Sequence, residues 1–345
     1  MDFSYPLWAV LAGAAISAWF LTGVLRRYAL ARNVLDVPNA RSSHQQPTPR
    51  GGGIAFVLSY LAGIAVLWLA GGIAGSQAAA LLGSGALIAL VGFLDDHGHI
   101  PARWRLLAHF AAAAWVLAWL GGIPPLALGG AEPLTLGVAG SLLGAFYLVW
   151  MLNLYNFMDG IDGIASVEAI CAALGAAVLY GLVGQSWHAA PALLLGAAVA
   201  GFLVWNLPPA RIFMGDGGSG FLGIVLGGLS LSAGWVEPTL FIGWLILLGV
   251  FVTDATTTLL RRLLRGEKAY EAHRSHAYQL ATRRWKSHRR VTLSVLTINV
   301  CWLLPIACAV VLAWVPGWLG LVVAYSPLIA LALGLKAGSP EVPGA

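Results

Sequence analysis

Two aspartates three residues apart stand near the middle of the chain, in the stretch Asn153-Leu-Tyr-Asn156-Phe-Met-Asp159-Gly-Ile-Asp162-Gly163. A helical turn would place both carboxylates on one face, where their mutual repulsion favours a cation between them. The glycine after each acid would let a bulky, charged substrate approach the backbone. The alternative is a solvated turn that carries two charges, as in many soluble proteins. Long apolar runs on both sides favour a functional site.

A second acidic pair, Asp95 and Asp96, ends the third apolar segment of the chain. Adjacent side chains on a helix point about 100° apart, so one carboxylate can hold a metal ion while the other acts as a base or binds a neighbouring group. A simple membrane-boundary charge is the alternative. The helix dipole opposes carboxylates at a C-terminus, so this placement carries a local cost.

A glycine-rich loop that contains Asn206, Phe213 and Asp216 runs directly into the eighth apolar segment. Glycines, exposed backbone N–H groups and a helix N-terminus suit a phosphate, and Asp216 suits the accompanying metal ion. The loop has no Gly-Lys-Ser or Gly-Lys-Thr, so it is not a P-loop. Considered alone, it could equally be a flexible turn.

The polar connection 261–290 is rich in arginine and lysine. His273 and His276 are three residues apart, and we expect them to share a helical face with Gln279, with Arg274 beside them. These side chains would offer several donors to phosphate or sugar oxygens. A metal site on the two histidines and a basic helix on the membrane surface are the alternatives.

The other histidines show no pattern of partners. His44 lies in a polar loop before the second apolar segment and indicates no chemistry by itself. His109, His188 and His288 are interpreted as interfacial or structural.

The composition is that of a polytopic membrane protein. Hydrophobic residues make up 59% of the 345 residues and charged residues only 10%, against about 25% charged in globular domains. The mean hydropathy is +0.82. The length allows about a dozen helices of roughly 20 residues but no separate soluble domain. We therefore expect one all-α transmembrane domain over residues 1–345, with 261–290 as a large basic loop within it.

Apolar segments of membrane-helix length predict about eleven crossings. They are approximately residues 6–25, 53–70, 78–94, 105–122, 137–154, 164–184, 191–206, 220–236, 240–260, 291–314 and 318–336. The lysines and arginines all fall in the odd-to-even connections and the C-terminal tail, which predicts an outside N-terminus and a cytoplasmic C-terminus. The net charge of +5 thus reflects topology and is no evidence for nucleic-acid binding. Asp254, inside an apolar run, is expected to face a wet cavity or a cation.

Together, the motifs resemble those of polyprenyl-phosphate N-acetylhexosamine-1-phosphate transferases, the MraY/WecA-like glycosyltransferase family 4. The match is closest to the WecA/WbpL-like branch, which initiates O-antigen synthesis. The matching stretches are PNARSSHQQPTPRGGG at 38–53, DD at 95–96, NFMDGIDG at 156–163, PARIFMGDGGSG at 209–220 and HRSHAYQ at 273–279.

The resemblance implies transfer of a sugar 1-phosphate from a UDP-N-acetylhexosamine to undecaprenyl phosphate, with release of UMP. It implies Mg²⁺ as cofactor, with Mn²⁺ as a substitute, and a multi-pass protein of the bacterial inner membrane with its active site on the cytoplasmic face. Joining two phosphates brings like charges together, so neutralisation by a cation and basic groups should supply most of the rate. The identity of the sugar and a homodimer are left open.

The resemblance also implies roles for individual residues. The catalytic acids would be Asp95, Asp96, Asp159 and Asp162, with Asp95 or Asp96 engaging or deprotonating the lipid phosphate. Asp216 and Asp159 would bind the metal ion. The substrates would contact Asn156, Asn206, Phe213, His44, His273, Arg274 and His276.

A membrane transporter is the alternative from another functional class, since intramembrane acids often mark ion pathways. Transporter acids are expected near the middle of the membrane. Nearly all acids here are predicted at one boundary, which favours the transferase.

Overall fold

Fourteen α-helices build the described part of the chain. The computed structural model describes residues 7–38, 46–98, 100–130, 132–267 and 273–340. The helices are α1 (Leu7–Ala31), α2 (Ile54–Leu69), α3 (Gly75–His97), α4 (Ala102–Leu120), α5 (Gly137–Met158), α6 (Ile164–Leu182), α7 (Ala190–Asn206), α8 (Asp216–Val236), α9 (Pro238–Leu247), α10 (Gly249–Leu263), α11 (Ala277–Trp285), α12 (His288–Ile298), α13 (Leu304–Val311) and α14 (Gly317–Gly334).

The predicted all-α, polytopic membrane fold is confirmed. Within the described residues, eight helical spans are long and apolar enough to cross a membrane, or nine if the bent pair α9 and α10 counts as one. One of the eight joins α12 and α13 through a π-helical turn at Asn299–Leu303. Large apolar side chains such as Trp8 and Val138 are exposed on the outer surface, as expected where hydrocarbon replaces water.

Each of the eleven predicted segments coincides with a helix, but not every helix is a long, straight span. The helix α2 has only 16 residues, and α4 begins with Arg103 and Arg105 in its first turn. The ninth segment, 240–260, is divided into α9 and α10, which meet at an angle of 66°. The count of eleven and the orientation of the termini therefore stay predictions.

Polar side chains from other helices surround the bend between α9 and α10. The hydroxyl of Tyr325 donates to the carbonyl of Leu245, near the end of α9, at 2.7 Å. On the other side, the buried carboxyl of Glu168 faces the backbone N–H of Phe251 and accepts from the amide of Asn299 at 2.5 Å. Because a broken helix frees backbone groups that hydrocarbon cannot satisfy, such partners permit the bend.

The central helix is α8. In its most apolar stretch 83% of the residues are buried inside the protein, against 17% for α1. Glycines bring its first turn into backbone contact with two other helices: a Cβ at Gly92 would lie 2.5 Å from the Cα of Gly217, and one at Gly53 would lie 2.6 Å from the Cα of Gly218. The end of α3 and the start of α2 therefore meet the start of α8.

A short antiparallel ribbon joins two polar loops at the same place. Strand β1 (Leu35–Asp36) pairs with β2 (Thr48–Pro49). Just beyond β2, backbone bonds join Phe213 to Pro49 at 2.8 Å and to Gly52 at 2.9 Å. The loop before α2 and the loop before α8 are thus held side by side.

Candidate active site

The ends of α3 and α5 and the start of α8 enclose one open, polar pocket of about 860 Å³. Five aspartates line it: Asp36 and four from three of the motifs that the sequence indicates, together with three other indicated residues. The indicated residues are Asp96, Asp159, Asp162 and Asp216, with Asn156, Asn206 and Phe213. The sequence therefore predicts the main acids of the pocket, although they are far apart along the chain.

Asp96 caps the start of α8. Its carboxylate accepts hydrogen bonds from the backbone N–H groups of Asp216 at 3.3 Å and Gly217 at 3.4 Å. The next two N–H groups, of Gly218 and Ser219, bond to the carbonyl of Gly215. The prediction that these N–H groups bind phosphate is wrong, because a carboxylate of the protein already occupies the helix start. The dipole of α3 destabilises the carboxylate of Asp96, which lies at the C-terminal end of that helix. The dipole of α8, whose N-terminal end the carboxylate faces, offsets this effect.

Asp216 is anchored on one side and open on the other. Its Oδ1 accepts a hydrogen bond from the amide of Asn156 at 2.9 Å, and that amide also donates to Ser219 at 3.2 Å. Arg105 lies 3.8 Å from Oδ2, and the Asp216 side chain is 42% exposed. One oxygen is therefore fixed, while the other faces the pocket.

Asp95 points in a different direction from Asp96, as the 100° separation predicts, although its carboxyl still lies close to that of Asp216. Its carboxylate accepts from Arg105 at 2.6 Å and from the backbone N–H of Ile100 at 2.7 Å. It lines a second pocket, of about 1180 Å³, rather than the acidic one. Asp95 thus holds Arg105 in place at the edge of the second pocket.

The second pocket is walled largely by apolar side chains and adjoins the acidic pocket. Asn156 and Asp216 line both. The apolar wall comes from α3, α4 and α5, through Ile88, Val91, Leu106, Leu152 and Phe157. A polar and a largely apolar compartment therefore meet at the amide of Asn156 and the carboxylate of Asp216.

Asp159 and Asp162 do not share a helical face. The helix α5 ends at Met158 and α6 begins at Ile164, so both acids lie in the turn between them. Gly163, with φ of 74°, takes the left-handed conformation that glycine adopts without strain. The prediction of one helical face is wrong because the chain reverses direction here.

Asp162 is tied to other parts of the protein. Its Oδ2 accepts from the backbone N–H of Ala210 at 3.1 Å, and its Oδ1 lies 3.1 Å from Nδ1 of His288. Thr292 donates to its backbone carbonyl at 3.0 Å. His288 therefore lines the acidic pocket and has a carboxylate partner, contrary to the interpretation of this histidine as lacking a partner pattern.

Burial disfavours the charged form of three acids of the pocket, Asp96, Asp159 and Asp216, and the structure leaves Asp159 with the least support. Burial raises its pKa well above the usual value, and the carboxylates of Asp216, Asp96 and Asp162 raise it further. Among the described residues, none donates a hydrogen bond to its side chain. Ionised Asp159 thus needs a positive partner.

The oxygen donors of the pocket suit a hard divalent cation whose remaining ligands come from substrate. Among the described residues, no three His, Cys, Asp or Glu side chains converge closely enough to enclose a metal ion alone. Mg²⁺ is typically held by one or two carboxylates, with water and substrate phosphates as further ligands. The open oxygen of Asp216 and the repelled carboxylate of Asp159 are of that kind, so the residues fit such an ion.

Asn206 connects three loops. Its Oδ1 accepts from the N–H of Gly163 at 3.0 Å, and its amide donates to the carbonyl of Ile212 at 3.0 Å. Only 3% of the residue is exposed. These contacts hold the acidic turn against the loop before α8, so Asn206 shapes the pocket whether or not it touches substrate.

The histidine segment is arranged differently from the prediction. Residues 273–276 precede α11, so His273 and His276 do not share a helical face with Gln279. His276 is 3% exposed and lies 3.3 Å from a carboxylate oxygen of Asp254. The carbonyl of Arg274 accepts from Arg283 at 2.9 Å. None of the three predicted residues, His273, Arg274 and His276, lines the acidic pocket as described.

Asp254 borders a mainly apolar cavity and is held by hydrogen bonds from the described residues. Its carboxylate accepts from the backbone N–H groups of Ala277 at 2.8 Å and Tyr278 at 2.9 Å. The start of α11 thus supplies the positive partner that a buried carboxylate requires. The expected positive partner is thus a helix start rather than a cation, and the cavity that Asp254 lines is mainly apolar; the sequence gives no sign that α11 begins beside α10.

Burial, together with the neighbouring His276 and Arg262, lowers the pKa of His273 to about 3. The imidazole is therefore neutral near pH 7. It can offer a hydrogen bond to a substrate oxygen but no charge.

Arg50 is a pocket residue that the sequence did not single out. It follows β2, lines the acidic pocket and donates to the backbone carbonyl of Asp96. Its place inside a matching motif was the available signal. His44, from the same motif, lies outside the described residues.

Comparison with known proteins adds the family. A sequence model of glycosyl transferase family 4 matches residues 78–234. The chain is similar to a decaprenyl-phosphate N-acetylglucosaminephosphotransferase of Mycolicibacterium smegmatis, with 30% identity over 82% of this chain and 77% of the relative. The chain belongs to glycosyl transferase family 4. The family 4 match covers the part of the chain that contains Asp95, Asp96, Asn156, Asp159, Asp162 and Asp216.

Two other relatives of this family 4 protein are similar over much of their length. A probable undecaprenyl-phosphate N-acetylglucosaminyl 1-phosphate transferase of Bacillus subtilis is 29% identical over 91% of this chain and 87% of the relative. A phospho-N-acetylmuramoyl-pentapeptide-transferase of Deinococcus radiodurans is 32% identical over 62% and 72%. Membership of family 4 favours a membrane-bound transferase over a transporter.

Proposed function

We propose that the protein transfers N-acetylhexosamine 1-phosphate from a UDP-sugar to undecaprenyl phosphate. An oxygen of the lipid phosphate forms a bond to the sugar-bearing phosphorus. The bond from that phosphorus to the bridging oxygen breaks, and the oxygen leaves with UMP. The products are an undecaprenyl-diphosphate-linked sugar and UMP.

The observation that carries the proposal is the meeting of two unlike pockets at Asn156 and Asp216. The acidic pocket offers carboxylates to a metal-bound sugar nucleotide. The adjoining pocket offers apolar walls to a lipid, with Arg105 at its edge to face the lipid phosphate. The transfer joins a water-soluble phosphate to a lipid phosphate, so it requires two such compartments with one common boundary.

Asp216 and Asp159 are proposed to hold Mg²⁺, with Mn²⁺ as a substitute. The bound ion would neutralise charge on the phosphates that the reaction brings together. Asn156 fixes one oxygen of Asp216 and leaves the other toward the pocket.

The two acids of α3 are assigned different roles. Asp95 engages the lipid phosphate indirectly, because it holds the Arg105 guanidinium at the second pocket. Asp96 keeps the start of α8, and with it Asp216, in place. Asp162 and Asn206 shape the acidic turn, and Phe213 forms part of the wall for the sugar nucleotide.

The histidine segment is proposed to close over the sugar nucleotide from the side of α11. His273, Arg274 and His276 do not line the acidic pocket as described. Asp254 and Gln279 hold His276, so the movement that this role requires when substrate binds is that of His273 and Arg274, with His276 as their fixed base. His44 is assigned to the same substrate on its motif alone.

The whole chain, residues 1–345, is proposed to act as one transferase domain in the bacterial inner membrane, with the pocket on the cytoplasmic side. The distribution of lysine and arginine supports this orientation. Initiation of O-antigen synthesis is the proposed biological role, and the motif at 273–279 supports it.

The test is UMP release by the purified full-length protein, supplied with undecaprenyl phosphate and a panel of UDP-N-acetylhexosamines. We expect release that requires both substrates and that is lost in Asp216→Asn. Glu132→Gln is the matched control, because Glu132 is exposed and lies outside both pockets. The proposal is wrong if the wild type releases no UMP with any donor, or if Asp216→Asn is as active as the control.

Removal of divalent metal ions tests the cofactor. We expect excess chelator to abolish UMP release, Mg²⁺ to restore it fully and Mn²⁺ to restore part of it. Undiminished turnover in excess chelator would exclude the metal role.

A further inference from the structure

The hydroxyl of Tyr278, in the first turn of α11, reaches the end of α5. It donates a hydrogen bond to the backbone carbonyl of Phe157 at 2.9 Å, two residues before Asp159. The last four carbonyls of a helix have no partner within it, so this bond satisfies one of them where the acidic turn begins. Tyr278 is 4% exposed and does not line the acidic pocket.

The same hydroxyl covers Gly160, on the other side of Asp159. A Cβ at Gly160 would collide with the phenolic oxygen of Tyr278. The space where a Cβ would stand is therefore filled by protein, although Gly160 also lines the acidic pocket. Tyr278 thus contacts the backbone both before and after Asp159.

Asp254 fixes Tyr278 in turn. The two oxygens of its buried carboxylate accept from the N–H groups of Ala277 and Tyr278, and Thr258 and His276 approach Oδ1 at 3.2 and 3.3 Å. With four partners, this carboxylate is committed to holding the start of α11. A separate bond from the His276 N–H to Gln279, at 3.2 Å, completes the cap.

Asp159 depends on such support because its own side chain has none. Among the described residues, no donor holds its carboxylate, whereas Asp162 in the same turn has two partners. The position of Asp159 is therefore determined by whatever holds its backbone. Tyr278 is the side chain that does so on both sides of it.

We propose that Asp254 and Tyr278 are positioning residues for Asp159: Asp254 fixes the start of α11, and Tyr278 fixes the backbone of the α5–α6 turn. A contact chain then runs from Asp254 in α10, through Tyr278, to the acid of the pocket. The expected effect on UMP release rests on the proposed function. The stabilisation of the α5–α6 turn by Tyr278 does not depend on it.

Tyr278→Phe in the full-length protein tests the proposal, because it removes only the hydroxyl. Tyr325→Phe is the matched control: its hydroxyl also donates to a helix carbonyl, of Leu245, away from both pockets. We expect Tyr278→Phe to accelerate amide hydrogen exchange in residues 157–163 and to lower the rate of UMP release about 10- to 100-fold. Tyr325→Phe should do neither.

A second pair of variants separates positioning from general stability. Gly160→Ala alone should lower UMP release strongly, because the new methyl group meets the Tyr278 hydroxyl. Adding Tyr278→Phe removes that hydroxyl, so the double variant should be several-fold more active than Gly160→Ala. If both substitutions only destabilised the protein, their effects on stability would add, and the double variant would be less active than Gly160→Ala. Asp254→Asn should accelerate exchange at the start of α11 as well as in residues 157–163.

The outcomes distinguish this proposal from the proposed function. If the wild type releases no UMP, the transferase function fails, but the exchange measurement still tests the support of the turn. Wild-type exchange in residues 157–163 of Tyr278→Phe would overturn the proposal. Equal effects of Tyr278→Phe and Tyr325→Phe, or a double variant less active than Gly160→Ala, would also overturn it.

Discussion

Asp159 and Asp162 leave the same turn between α5 and α6, and their carboxylates reach different surroundings. Asp162 accepts from the N–H of Ala210 and lies beside His288, which joins the turn to the loop before α8 and to α12. Asp159 has no donor among the described residues, and burial together with three neighbouring carboxylates raises its pKa. One acid holds the structure together, while the other is held in an unfavourable position.

The same division separates Asp96 from Asp216. Asp96 gives its carboxylate to the start of α8, whereas Asp216 keeps one oxygen open to the pocket. An acid whose oxygens are all satisfied by the protein has little capacity left for a metal ion. We therefore propose that Asp159 and Asp216 take part in the chemistry, while Asp96 and Asp162 support the site.

The largest expected effect is that of Asp159→Asn. Loss of the charge should lower UMP release by roughly 100- to 10,000-fold, the range seen when a group that acts in the reaction is removed. The variant should be at least as stable as the wild type, because a repelled carboxylate is replaced by a neutral group. A thermal melt of the purified protein checks the second point. A large loss of stability would show that Asp159 also holds the turn.

Asp162→Ala should show the opposite pattern. The N–H of Ala210 and the side chain of His288 lose their partner, which should cost about 1–3 kcal/mol of unfolding free energy. UMP release per folded molecule should fall less than in Asp159→Asn. Thermal melts and folded-fraction measurements by gel filtration check this. An unchanged melting temperature would contradict the proposal that Asp162 stabilises the fold through Ala210 and His288.

The smallest expected effect comes from the comparison of two histidines. His288 lies beside the carboxylate of Asp162, whereas His273 has no such carboxylate contact among the described residues. Burial lowers the pKa of His273 from 6.5 to about 3. Between these pH values the unfolded chain binds a proton that the folded protein does not, so this residue lowers stability as the pH falls through that range. His273→Gln should reduce the drop in melting temperature between pH 7.5 and pH 5. An unchanged drop would show that His273 is not neutral in the folded protein.

Much of the fold follows from hydropathy, because each apolar segment must form a helix in a membrane. The bend at residue 248 does not follow, since the sequence on both sides of it is apolar. It depends on Glu168, Asn299 and Tyr325 from other helices. Their side chains meet the bend only in the folded chain, so no local pattern reveals it.

The acids of the site could be predicted by residue type, but not by role. The bond between Asp96 and the N–H of Asp216 joins positions 120 residues apart, and His288 reaches Asp162 from α12. Spacing within a motif cannot show which acid has such a distant partner. The three-residue spacing of Asp159 and Asp162 suggested a shared helical face, but the chain forms a turn there.

UMP release by wild-type, Asp159→Asn and Asp162→Asn proteins, measured per folded molecule with undecaprenyl phosphate and the best UDP-N-acetylhexosamine donor, tests the central claim most directly. Asn at 162 keeps an oxygen for the N–H of Ala210, so we predict that Asp162→Asn retains at least a tenth of the wild-type rate, whereas Asp159→Asn retains about a hundredth or less. Equal loss in the two variants, or the reverse order, would contradict the division between an acid that reacts and an acid that supports.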